Sequence, residues 1–265
     1  NIMKTRVLSL ILFLLTISIF AQENDQTFLS LNDTGVQEFI KQHPEYDGRG
    51  TIILVLDTGV DMGIDGLTKT STGDVKVIDV QDFTGQGDMP LVEADLSSKD
   101  GKDVFENEDK GYSVLADKSK MLKSADDNYW ISVLNETHLM NSGSGAQDLN
   151  GNGVKDDKYY MVAYKTTEGY WVVYFDTNGN NDLSDEKPFR NYKENYDSFT
   201  IENGKGLTPF TFALNIFPAE KIISLFFDDG SHGTHCAGIA AGFNIGDAAL
   251  NGVAPGAKVI GLKLG

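Results

Sequence analysis

The chain has 265 residues, 40% of them hydrophobic, enough for one α/β core with an insertion and too apolar for a disordered polymer. Its 22 Lys and Arg against 39 Asp and Glu leave a formal charge of −17, which repels phosphate backbones and anionic lipid, so no nucleic-acid partner is expected. A single cysteine, Cys236, rules out an intrachain disulfide.

In chain order, the first element is a leader. Lys4 and Arg6 form a positive start, Val7 to Phe20 is almost unbroken apolar sequence, and Ala21 offers a small residue for cleavage before polar Gln22-Glu23-Asn24-Asp25. The apolar run is shorter than the roughly 20 residues a membrane span needs. Residues 1–21 are therefore expected to be a signal peptide, with export to a periplasmic or secreted location and no membrane span after its removal.

Val36 to His43 reads as a short helix stopped by Pro44, and Thr51 to Leu56 as a strand buried on both faces of a parallel sheet, with Asp57 at its C-terminal edge. Open α/β sheets place functional groups at that edge. Val75 to Val80 and Ile222 to Phe227 read as two more strands. Residues 22–89 and 221–265 form the main domain, and residues 90–220 an insertion, because Asp57 and His232 are 175 positions apart. Inside the insertion, Val114 to Ala125 is predicted helical, and Tyr159 to Lys165 with Tyr170 to Phe175 a hairpin around Glu168-Gly169.

Gly230-Ser231-His232-Gly233-Thr234-His235 supplies an imidazole at a predicted helix start. Such an imidazole is the general base for a serine hydroxyl, and a carboxylate behind it fixes its tautomer; Asp57 is the candidate for that role. Asp57-Thr58-Gly59 taken alone also fits an aspartic protease, which pairs two such carboxylates, or a plain turn ending a strand. The His232 motif favours the Asp–His pair. His235 is read as a packed helix histidine, and Cys236 as a small buried hydrophobe. No serine follows Ser231, so the nucleophile of an Asp, His, Ser order is absent from these residues and the chain alone should be inactive.

Asp148-Leu149-Asn150-Gly151-Asn152-Gly153 opens like a calcium loop, with Asp148, Asn150, Asn152 and Asp156 as candidate oxygen ligands, but Tyr159 stands where the bidentate Glu belongs. Asp176-Thr177-Asn178-Gly179-Asn180 repeats the pattern with Lys187 at that position, a weaker match. Asn, Asp and Gly clusters also make plain turns. Calcium here would be structural, and no cofactor is expected for catalysis.

Three blocks in order, Val55-Leu56-Asp57-Thr58-Gly59-Val60-Asp61, His232-Gly233-Thr234-His235 and Gly252-Val253-Ala254-Pro255-Gly256-Ala257, resemble the subtilisin-like serine peptidases. Pro44-Glu45-Tyr46-Asp47-Gly48-Arg49-Gly50 and Arg190-Asn191-Tyr192-Lys193-Glu194 are similar to the tripeptidyl peptidase II branch, as is the long insertion. The resemblance implies an α/β fold with a doubly wound parallel sheet, truncated here. It also implies Asp57 and His232 as triad acid and base, with a peptide or protein as substrate. The leader departs from the cytosolic members of that branch. The rival expectations are an inert secreted calcium-binding or adhesion module and an aspartic protease.

Overall fold

The computed structural model describes residues 31, 33–139, 148–201, 210–247 and 249–265; the leader-like segment lies outside them. Residues 1–38 and 39–265 form separate compact units. In the described part of the first, Thr34 Oγ1 and Gln37 N both donate to the Leu31 carbonyl, making a turn ahead of a helix.

In chain order the elements are α1 (Val36–Gln42), β1 (Ile52–Asp57), β2 (Val77–Asp82), β3 (Asp88–Pro90), β4 (Val92–Lys99), β5 (Lys102–Asn107), β6 (Tyr112–Ala116) and β7 (Tyr129–Asn135). They continue with β8 (Lys158–Lys165), β9 (Trp171–Phe175), β10 (Pro188–Phe189), α2 (Tyr192–Asn195), β11 (Ser198–Thr200), β12 (Thr211–Phe217), β13 (Ile222–Phe226), α3 (His232–Ala241) and β14 (Lys258–Lys263). Strands β1, β14 and β2 form a parallel sheet in that order. A seven-stranded antiparallel sheet, β10-β9-β8-β7-β4-β5-β6, lies wholly within residues 90–220, whereas a four-stranded one, β11-β12-β13-β3, takes β3 and β13 from its two margins.

Period-two alternation builds the cores. Met161 and Ala163 of β8 and Val173 and Phe175 of β9 face Phe212, Leu214, Ile223 and Leu225 of the four-stranded sheet. The opposite sides of the same two strands bury Val162, Tyr164, Val172 and Tyr174 against Phe105 and Val114. On the far side of the four-stranded sheet, Ala213 and Phe226 join Val60, Val77, Val259, Ala237 and Ala241 beneath the parallel sheet. The four-stranded sheet thus belongs to two cores. Each fully buried large side chain contributes about 1.5–3 kcal/mol.

The subtilisin-like parallel sheet is present. Within this stretch of the protein Ile53 and Val55 of β1 pack towards α3's core, while Ile52, Leu54 and Leu56 are 58%, 49% and 54% exposed. The segment 114–125 is not helical. Val114 and Ala116 alternate inward in a strand paired with β5, and Asp117 then accepts from Ser119 N and Oγ in a turn that a helix could not continue. Ile222 to Phe226 is the expected strand, and it runs antiparallel to β12 and β3. The hairpin of β8 and β9 forms in the register Lys165 opposite Trp171.

Lys76 holds α3 against the sheet. Its fully buried ammonium donates to the carbonyls of Ala241, Pro255 and Ala257, a cation at the helix C-terminus where the macrodipole favours it. Burial pushes its pKa down to about 8.

Candidate active site

Asp57 ends β1 and His232 begins α3. The two elements approach because the residues between them are small. A Cβ placed on Gly233 would sit 2.0 Å from the Gly59 carbonyl oxygen and 3.0 Å from Asp57 Cβ, so only glycine lets the first turn of α3 lie on the Asp57-Thr58-Gly59 turn. At this contact His232 Nδ1 lies 2.8 Å from both carboxylate oxygens of Asp57.

The helix start is held by residues that lie outside the Asp57–His232 pair. Ser231, the residue before the helix, has a left-handed backbone (φ 60) and makes no side-chain cap. Asp228 caps instead. Its Oδ1 accepts from Gly230 N (3.1 Å), Ser231 N (3.0 Å) and Thr58 Oγ1 (2.7 Å), and its Oδ2 from Thr234 N (3.1 Å) and the Thr234 hydroxyl. Thr58 completes the clamp: its hydroxyl accepts from Gly233 N (3.1 Å) and its N–H donates to Asp57 Oδ1 (2.8 Å). Thr234 Oγ1 also accepts from Asp61 N (2.8 Å). An acidic residue shortly before a predicted helix start was the available signal for Asp228; Thr58 carried none beyond its place in the tripeptide.

Burial raises the Asp57 pKa, but the hydrogen bonds from His232 and from Thr58 N outweigh it and hold the carboxyl below its ordinary value. The ionised carboxylate favours the proton on His232 Nδ1, which leaves the Nε2 lone pair to accept one. The imidazole side chain is 67% exposed and that of Asp57 19%, so the arrangement presents a base to an incoming group and shields the acid that orients it. Cys236 is half-buried rather than fully buried, one helical turn on, with Sγ 3.8 Å from His232 Nδ1 and 3.9 Å from Nε2.

The expected calcium ligands lie far along the chain from this pair. In the first loop Asn150 and Asn152 side-chain amides both donate to Asp157 Oδ2 (2.8 and 2.6 Å), and Asp148 Oδ2 accepts from Gly153 N (3.0 Å). Asp157 makes these contacts, while the expected ligand Asp156 is exposed. The second loop repeats the arrangement, with Asn178 and Asn180 amides on Asp185 Oδ2 (3.1 and 3.0 Å).

Known proteins resemble this chain at both levels. The subtilase family profile matches residues 215–265. The chain is 30% identical to tripeptidyl-peptidase 2 of Oryza sativa subsp. japonica over 91% of its own length and 22% of the relative's. It is 28% identical to tripeptidyl-peptidase 2 of Arabidopsis thaliana (86% and 20%) and to pyrolysin of Pyrococcus furiosus (79% and 15%). A crystal structure of tripeptidyl peptidase 2 superposes with a TM-score of 0.61 at 22% identity, over 86% of this chain and 21% of that one. The chain therefore spans about a fifth of the length of the tripeptidyl peptidases it matches. These relatives also correct the expectation of export. Their similarity covers most of the chain and places it with the branch whose cytosolic members the leader-like segment departs from, which points against an exported location.

Proposed function

The chain belongs to the subtilase family, on its tripeptidyl-peptidase 2 branch, and from that premise we propose that it supplies the acid and base of a serine peptidase acting on peptide or protein substrates. The observation that carries the reading is the contact of His232 Nδ1 with both oxygens of Asp57 at 2.8 Å. An aspartic peptidase would set a second carboxylate against Asp57; an imidazole stands there.

In this reading His232 Nε2 takes the proton of a serine hydroxyl as that oxygen attacks the scissile carbonyl, then returns it to the leaving amine. Asp57 holds the ring through Nδ1 and stabilises the imidazolium without itself taking the proton. The serine comes from outside residues 1–265, so this stretch by itself hydrolyses nothing by the triad route. Removal of tripeptides from a free amino terminus is the finer expectation the relatives' names suggest.

Measuring peptide hydrolysis by the intact protein tests this. His232→Ala and Asp57→Asn are each expected to lower kcat by about 10⁴-fold, and His232→Ala to slow labelling of the serine by a fluorophosphonate. Wild-type turnover in the double variant sinks the assignment. Equal cleavage of free and N-acetylated peptides would keep the peptidase and discard the tripeptidyl preference.

A further inference from the structure

The first Asp-x-Asn-Gly-Asn loop fails as a calcium loop in sequence because Tyr159 occupies the position of the bidentate carboxylate. The fold brings a carboxylate to this loop from another element. Glu136 follows β7, is fully buried, and places Oε1 to accept from Leu149 N (2.7 Å) and from the Tyr159 hydroxyl (3.2 Å). Its main-chain N–H donates to the Asp157 carbonyl (3.0 Å). Its other oxygen, Oε2, is buried with no hydrogen-bond partner. A carboxylate oxygen without a partner in a dry interior is costly, and a fully buried acid is normally paired or bound to a cation.

We propose that Glu136 completes a divalent-cation site with Asp148, Asn150, Asn152 and Asp157, supplying across the fold the carboxylate that the loop's own sequence lacks. The donor set is all oxygen, from carboxylates and amide carbonyls, which suits a hard cation that tolerates irregular geometry, namely Ca²⁺. Burial pushes the Glu136 carboxyl up, with the Asp157 charge adding to it against the lowering effect of the Leu149 N–H and Tyr159 hydroxyl. A cation relieves both the burial and the repulsion.

The second loop is the internal control. Its buried acids are already satisfied: Asp176 accepts from Asn180 N (3.1 Å) and Asn181 N (2.9 Å) on its two oxygens, and Glu186 accepts from Thr177 N and Oγ1 (2.6 and 2.8 Å), with Oε2 also on the Thr177 hydroxyl (2.9 Å); Asp182 and Asp185 accept from Ser184 N and from the Asn178 and Asn180 amides. The same loop pattern, with its carboxylates already partnered, leaves nothing for a cation to satisfy.

The test is equilibrium Ca²⁺ binding and thermal melting of the intact, chelator-stripped protein. Wild type is expected to melt about 2–8 °C higher in millimolar CaCl₂ than in chelator. Glu136→Gln, which keeps an acceptor for Leu149 N, should melt no lower than wild type in chelator and bind one fewer Ca²⁺ per chain. Half-buried Asp157→Asn should lose the same ion, and Asp185→Asn in the second loop should lose none. The proposal is overturned if Glu136→Gln and Asp157→Asn bind as many ions as wild type, or if the ion is lost only in Asp185→Asn.

Discussion

The region around α3 and the antiparallel body are packed by opposite means. Around α3, contact depends on missing side chains: Gly233 lies against the Gly59 carbonyl, and a Cβ on Gly252, in the loop before β14, would meet main-chain atoms of Gly238 and Gly242 within 2.7 Å. In the antiparallel body large rings fill the space, with Phe175, Phe189, Phe199, Phe212 and Phe227 in one cluster and Phe175 and Phe199 centroids 4.6 Å apart. Backbone-to-backbone contact fixes a distance such as the 2.8 Å between Asp57 and His232, because no rotamer can absorb an error. Ring packing supplies stability and tolerates local repacking better.

That contrast can be broken. Phe175→Ala, at a fully buried position, is expected to cost about 3–5 kcal/mol by chemical denaturation, with kcat of the remaining folded protein near wild type. Gly233→Ala is expected to do the reverse, lowering kcat by 10²-fold or more, about 2.7 kcal/mol of barrier, with a smaller change in the denaturation midpoint. If Phe175→Ala lowers turnover as much as Gly233→Ala does, the division of labour is wrong.

Smaller effects sharpen it. Asp228→Ala strips the cap from α3 and leaves half-buried donors of the Thr58–Thr234 clamp unpaired, a loss of about 1 kcal/mol. Because both Asp228 oxygens accept from N–H and O–H donors, Asp228→Asn, which turns an NH₂ towards one set of them, should recover only part of the stability.

Lys76 gives a pH signature. With its pKa at about 8 in the fold and 10.5 as the ordinary value, the unfolded chain binds more protons between those limits, so its contribution makes stability rise with pH across that window. Melting curves of Lys76→Met should lack the rise. Asp57 acts at the other end of the scale: its lowered pKa contributes stability that is present above 3.8 and is lost as pH falls through the folded value. The melting difference between wild type and Asp57→Asn should shrink as the pH drops below 3.8.

Local sequence located β1, α1, the β8–β9 hairpin and the Asp57 and His232 motifs, since each is written within a few residues by β-branched runs, turn residues or glycines. It misread 114–125 as helical, where pairing with β5 made a strand of the first residues.

What the sequence determined by itself is the identity and order of the chemically able groups: an acid at a strand end, an imidazole at a helix start 175 positions later, and two oxygen-rich loops. Only tertiary structure decided which of them meet. Glycine at 233 permits the Asp57–His232 contact, Asp228 aims the helix, and the turn after β7 delivers Glu136 to a loop it does not border in sequence. The physical reason is that hydrogen bonds and charge pairs act over a few ångströms, while the residues that make them are set tens to hundreds of positions apart and are joined only by the packing of the sheets between them.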